Sequence, residues 1–266
     1  LYQCCWAKKL DYKKLDYKNL VDEMKFKEVK QRLIDEPLNE MKICLNVPVL
    51  NKIEDNISYK VKSQYEENPY PRWYKTPSHQ FLSIKTIINN IPLKLVSEKI
   101  CDIGKPEILI AGCGTGQHAI DTATRFEHSS VLAIDLSKAS LAYAMRKTKE
   151  KGIKNISFMQ ADILNLKNLN KKFDIIECSG VLHHMADPFL GWKILLGNLN
   201  NGGLIKIGLY SEIARQEIVK IRNLISANGI GSREGDIREF RKQVINSKSS
   251  SLRKLLNWND FYSLSE

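Results

Sequence analysis

Glu107-Ile108-Leu109-Ile110-Ala111-Gly112-Cys113-Gly114-Thr115-Gly116 joins a short apolar run to three glycines at alternate positions, and Gln117 then opens a helix-permissive stretch. The run reads as a buried strand and the glycines as a tight strand-to-helix turn. Alternate glycines tolerate positive φ and admit a ligand to the main chain, while the helix start offers unpaired N–H groups. Such a turn binds a nucleotide-like molecule where its surroundings agree and is otherwise a plain corner. The downstream sequence decides between the two.

Nineteen residues beyond Gly116, the apolar run Val131-Leu132-Ala133-Ile134 ends in Asp135, where a βαβ unit places the acid that bonds ribose hydroxyls. A third run, from Ile156 to Ala161, ends in Asp162. A fourth, Phe173-Asp174-Ile175-Ile176-Glu177-Cys178, leads into Ser179-Gly180-Val181-Leu182-His183-His184-Met185. Four strands with polar residues at their C-terminal ends predict a parallel sheet with a ligand crevice along that edge. A dinucleotide fingerprint would place its third glycine at position 117, but the third glycine comes early, at Gly116, which disfavours NAD.

Together these residues resemble the class I S-adenosylmethionine-dependent methyltransferases over about residues 105–210. The resemblance implies an α/β, Rossmann-like fold with a mostly parallel sheet and helices on both faces. It implies S-adenosyl-L-methionine held by Gly112, Cys113, Gly114, Thr115 and Gly116, by Asp135 and Leu136, by Ala161 and Asp162 at the adenine edge, and by Ser179. Methyl transfer to a small-molecule acceptor is the expected activity. A non-catalytic cofactor-binding module and an RNA or DNA methyltransferase are the alternatives. The family commonly carries an acid two residues before the first glycine, where it helps hold the methionine amino group, and here that residue is Ile110. The contact must then be weaker, water-mediated or supplied by another segment.

Methyl transfer from a sulfonium is an in-line displacement in which positioning dominates, so little is asked of side-chain chemistry. His183 and His184 stand where the crevice is expected and are the candidate bases, their other reading being to pack or to cap the next helix. Glu177 is the second acid–base candidate, and Cys113 and Cys178 read as small packing residues.

Upstream, Gln64-Tyr65-Glu66-Glu67-Asn68-Pro69-Tyr70-Pro71-Arg72-Trp73 forms a strap stiffened by two prolines. It lacks the consecutive prolines of an amino-group methyltransferase loop. Either it packs against the sheet domain, or Tyr70, Arg72 and Trp73 form a lid on cofactor or substrate, Arg72 holding a carboxylate. A strap of this kind resembles a bacterial methyltransferase subgroup often fused to tetratricopeptide repeats, which makes an upstream repeat region a candidate partner.

The chain has 266 residues, 43% of them hydrophobic, enough for one full core with appended helices. A net charge of +11 suits an anionic partner, yet the lysines are scattered among Asn and Ile without an arginine-rich tract, so nucleic acid is not favoured. Six cysteines show neither metal-ligand nor disulfide spacing, which fits a reducing cytoplasm and no metal. No apolar run reaches transmembrane length, and no membrane partner is expected. The start at Leu1 suggests a processed chain or a fragment.

The expected organisation is a helical N-terminal extension at 1–60, the strap and a packing helix at 61–104, the cofactor-binding core at 105–210, and a helical cap or insertion at 211–266. Pro37 is expected to break the extension, a helical stretch spans His79–Lys99, and Asn200-Asn201-Gly202-Gly203 is a turn before a fifth strand from Leu204 to Tyr210. No pair of strands follows for the antiparallel hairpin that usually ends the family's sheet.

Overall fold

The computed structural model describes residues 27–76, 81–92 and 94–262, in two compact units divided between Leu209 and Tyr210. In the first unit, helices α1 (Glu36–Leu45), α2 (Asn56–Glu67) and α3 (Ile84–Asn89) precede the sheet. Its strands are β1 (Glu107–Ala111), β2 (Ser130–Asp135), β3 (Ile156–Gln160), β4 (Phe173–Ser179) and β5 (Leu199–Gly208). They run in the order β3-β2-β1-β4-β5, and every pairing is parallel. The order reverses between β1 and β4, so the crevice outside the carboxyl ends opens there. This is the Rossmann-like α/β fold expected from the sequence.

Side chains alternate across each strand, so Ile108, Ile110, Val131, Ala133 and Ile175 face one side, and Leu109, Ala111, Leu132, Ile134 and Ile176 the other. The first side is covered by α3 together with α4 (Gln117–Arg125) and α5 (Lys138–Glu150), through Ile84, Ile88, Ala119, Ala123, Leu141 and Ala144. The second is covered by α6 (Pro188–Gly197) and the 3-10 turns Ile163–Leu169, through Leu195, Ile163 and Leu166. With both faces buried the strands read as continuous apolar runs, and this is why they were legible.

Helix starts follow the sequence signals. Ser137 Oγ accepts the Ser140 N–H at the head of α5, and Asp187 accepts from Phe189 and Leu190 at the head of α6, with Pro188 in its first turn.

Three expectations are corrected. Pro37 does not break the extension: a helical turn Lys27–Lys30 and a π turn Gln31–Asp35 lead into α1, and the proline sits in the first turn after the wider π turn has already interrupted the ladder. The stretch ahead of β1 is not one helix among its described residues but α3 and a 3-10 turn, Glu98–Asp102. The fifth strand begins at Leu199, so Asn200–Gly203 lies within it. There Asn200 Nδ2 donates to Asp174 Oδ1 at 2.7 Å, holding the chain against β4 where a free turn was expected.

Pro48–Leu50 lies along the free edge of β3, with Leu50 N donating to Gln160 O and Gln160 N to Pro48 O at 2.9 and 2.7 Å. This covers the end of an otherwise open edge. Among the described residues no strand follows β5, and no helix is long and apolar enough to cross a membrane. The N-terminal pentad echo lies outside the described residues.

The second unit is helical: α7 (Gln216–Ala227), α8 (Glu234–Asn246) and short turns at Ser250–Arg253, Lys254–Asn257 and Asn259–Tyr262. Ile221 and Val244 are its buried apolar side chains, and the Arg215 guanidinium lies 3.7 Å from the Tyr210 ring centroid.

Candidate functional site

The glycine loop is pinned by its neighbours before any ligand is considered. Gly112 and Cys113 both donate to Ile134 O at 2.9 Å, tying the loop to β2. A Cβ on Gly112 would meet Val181 Cγ2 at 2.3 Å, and one on Gly116 would meet Ala144 Cβ at 2.4 Å, both at positive φ. These two glycines are therefore required by protein contacts, to the loop after β4 and to α5, rather than by close approach of a ligand. Gly114 is different: its N–H points to Asp135 Oδ2 at 2.7 Å.

Asp135 closes β2, and its other oxygen accepts the Ser137 N–H at 2.9 Å. Burial raises its pKa against the pull of the Ser137 and Gly114 N–H groups, with Glu66 adding a further upward push. Gln160 Nε2 holds the Leu136 carbonyl at 2.7 Å, and Ala161 N donates to Asp135 O at 3.1 Å. Asp162 stands two residues past β3. Its Oδ1 accepts the Leu164 N–H at 2.9 Å, whereas the buried Oδ2 has no partner from the protein. Ser179 ends β4 and is exposed.

His183 and His184 lie half-buried in the 3-10 turn after β4, ring centroids 4.2 Å apart. Tyr65 of α2 meets His184 edge-on at 6.5 Å. Cys113 and Cys178 are buried, and burial pushes both thiols up, Cys178 to about 12, so they stay protonated and pack as expected.

The strap lies on the glycine loop, but not with the side chains of a lid. Trp73 is buried and its Nε1 donates to Thr115 O at 3.0 Å, while Thr115 Oγ1 donates to Pro71 O at 2.5 Å. Tyr70 contributes its carbonyl, 3.7 Å from where a Cβ on Gly114 would sit. Arg72 is corrected outright: its Nη2 binds Glu40 Oε2 at 2.8 Å, so its carboxylate partner is in α1 and not in a ligand. Glu40 is 0% exposed and is held on its other oxygen by Arg146 of α5 at 2.8 Å, with both guanidinium groups about 5 Å from the Tyr143 ring centroid.

Glu177 is corrected as an acid–base candidate. Burial alone would raise its pKa, but the hydrogen bond and charge of His118 and the charge of Arg125 outweigh it and take the group down to about 2. It stays a carboxylate, tied to α4.

Two residues of this neighbourhood escaped the sequence reading. Glu66 accepts the Lys138 and Ala139 N–H groups, one on each oxygen at 2.9 Å, and so answers the first donors of α5 that Ser137 leaves open. The signal was a helix start capped by one serine only. His118, the second residue of α4, carried no local signal at all.

Residues 108–203 match the family model described as a methyltransferase domain. An uncharacterized protein of Synechococcus sp. is 30% identical over 200 residues, which cover 70% of this chain and 44% of the relative. A malonyl-acyl-carrier-protein O-methyltransferase of Paenibacillus sp. is 33% identical over 101 residues, 37% of each chain. Among solved structures, PKMT2 from Rickettsia typhi in complex with AdoHcy is 23% identical, with a TM-score of 0.44, over 58% of this chain and 31% of that one. The chain thus spans less than half the length of these relatives. The sheet core is that of the class I methyltransferases, and its cofactor is S-adenosylmethionine.

Proposed function

We propose that this chain catalyses S-adenosylmethionine-dependent methyl transfer to a small-molecule acceptor, with the cofactor held by Gly112, Cys113, Gly114, Thr115, Gly116, Asp135, Leu136, Ala161, Asp162 and Ser179. The observation that carries the reading is Asp162, a carboxylate 4% exposed whose Oδ2 receives no donor from the protein. Leaving a buried acceptor unanswered costs about 1–3 kcal/mol, and the amino group of an adenine supplies such a donor. Asp135 stands one strand over, at the end of β2, where a ribose would follow.

The bound cofactor supplies an activated methyl group and its own leaving group. The chain's part is to align an acceptor and, where the acceptor is not anionic, to take its proton. His183 and His184, at the mouth of β4, are proposed for that step, with Tyr65 beside His184 as a wall of the acceptor site. A small acceptor is supported by the Paenibacillus relative, whose name is that of an O-methyltransferase of an acyl thioester, and by the lack of an arginine-rich tract. The greater length of the relatives supports a further region beyond this chain, for which the strap's resemblance suggests tetratricopeptide repeats.

The test is a calorimetric and thermal-shift panel with S-adenosylmethionine, S-adenosylhomocysteine and NAD, followed by transfer of labelled methyl to small hydroxyl and carboxyl acceptors, tRNA and protein. S-adenosylhomocysteine at about a hundred times its Kd adds roughly 2.7 kcal/mol of stability, and label enters the small-molecule fraction. A shift with NAD alone overturns the cofactor site. Label in RNA or protein overturns the acceptor class, and binding without turnover on any acceptor leaves a binding module.

A further inference from the structure

An elongated ligand lying along the carboxyl edge of the sheet meets the strands in the order β3, β2, β1, β4. Asp162 stands past β3 and Asp135 at the end of β2. On β1 the corresponding stretch offers Ile110, 0% exposed and apolar. Its register partner on β4 is Glu177. Register partners in a parallel pair face the same side, so Glu177 places a carboxylate one strand beyond the apolar position.

That carboxylate is 4% exposed and takes three donors from one face of α4: Arg125 Nη2 at 3.0 Å, Thr122 Oγ1 at 2.8 Å and His118 Nε2 at 2.5 Å. Positions 118, 122 and 125 are spaced to line a single helical stripe. Arg125 and Thr122 alone tie the helix to the strand. His118 stands at the crevice end of the stripe, two residues past Gly116, with its side chain 29% exposed. An ionised carboxylate only accepts, so Nε2 carries the proton, and Nδ1 is the acceptor nitrogen of the neutral ring. The ring therefore has one nitrogen spent on the fold and one left to receive a donor at the β1–β4 switch point.

We propose that His118, oriented by Glu177, binds the amino group at the amino-acid end of S-adenosylmethionine, supplying from β4 and α4 the contact that Ile110 cannot make. This rests on the cofactor assignment above. His118 is the binding residue and Glu177 its positioning residue.

The experiment is titration calorimetry with S-adenosylhomocysteine and with 5′-methylthioadenosine, which keeps the nucleoside but lacks the amino-acid end. His118→Phe weakens S-adenosylhomocysteine about ten- to hundredfold and leaves 5′-methylthioadenosine as in the wild type. Thr122→Val, which removes a donor from the same carboxylate without touching the ring, leaves both ligands unchanged. Unaltered S-adenosylhomocysteine affinity in His118→Phe overturns the proposal, as do equal losses for both ligands or an equal loss in Thr122→Val. Should His118→Phe not fold, wild-type protein labelled with nitrogen-15 in histidine decides. S-adenosylhomocysteine must move the His118 ring resonances and 5′-methylthioadenosine must not, and the same response to both overturns the assignment. Wild-type protein that binds neither ligand overturns the cofactor site, and this inference with it.

Discussion

Glu40 and Asp162 are both buried carboxylates, 0% and 4% exposed, and the protein answers them in opposite ways. Glu40, under the strap, has Arg146 on one oxygen and Arg72 on the other. Asp162, at the sheet edge, has a backbone N–H on one oxygen and nothing from the protein on the other. Burial charges both groups the same desolvation, so the difference lies in who completes them. A carboxylate completed within the chain holds helices together. One left half-answered at a crevice awaits a ligand.

The largest effect expected from this contrast is on stability. Glu40→Ala leaves two guanidinium groups without their shared partner, one of them, Arg146, nearly fully buried, and breaking a buried pair in this way costs about 3–5 kcal/mol. Urea denaturation should show that loss while the folded fraction binds S-adenosylhomocysteine as before. If affinity falls with stability intact, the network belongs to the site and the contrast fails.

Glu177 tests the same rule through pH. Its folded pKa of about 2 lies below its ordinary value, so the group contributes stability that is fully present above about pH 4.5 and is lost as pH falls toward 2. The shift corresponds to roughly 3 kcal/mol. In Glu177→Gln that part of the acid slope disappears, and denaturation profiles of the two proteins between pH 5 and pH 2, a range set by the linkage, should converge at the acid end. Parallel profiles would mean that His118 and Arg125 do not hold this carboxylate as the geometry indicates.

At the sheet edge the effect moves from stability to affinity. Asp135→Ala removes a carboxylate that sits beside the glycine loop, and S-adenosylhomocysteine should weaken about ten- to hundredfold, since hydrogen bonds to charged groups are worth about 1.5–3 kcal/mol. Because Gly114 and Ser137 also lose an acceptor, some stability goes too, but less than in Glu40→Ala. A loss of stability larger than that of Glu40→Ala would make Asp135 a structural acid first.

What the sequence disclosed follows from the reach of local pattern. The glycine loop, the two-sided apolar strands and the caps at Ser137 and Asp187 are signals within a few residues, and the structure has them where the sequence placed them. Arg146 and Glu40 are 106 residues apart, Glu66 and Lys138 are 72 apart, and His118 and Glu177 are 59 apart. No periodicity links such pairs. Arg72 was misread for this reason: a lone arginine on a stiff strap suggests a ligand carboxylate until a carboxylate from α1 is found against it. The Asn200–Gly203 stretch misled in another way, because its turn composition says nothing of Asp174, which recruits Asn200 into the sheet.

The smallest effect is expected where the two regions touch. Trp73 belongs to the strap, but its Nε1 donates to Thr115 O in the glycine loop, so Trp73→Phe keeps the ring and its packing on Tyr143 while deleting one hydrogen bond between strap and loop. A neutral hydrogen bond contributes about 0.5–1.5 kcal/mol, and the carbonyl left behind is buried with it. Thr115 Oγ1 still holds Pro71 O at 2.5 Å, and Gly114 still points at Asp135, so the loop keeps two of its ties. Stability should therefore fall by about 1 kcal/mol, with S-adenosylhomocysteine affinity nearly unchanged. The strap then acts as packing that sets the loop in place before a ligand arrives. Unchanged stability with affinity down about tenfold, close to 1.4 kcal/mol, would mean that the Trp73–Thr115 bond is spent on binding, and would move the strap to the ligand's side of the contrast.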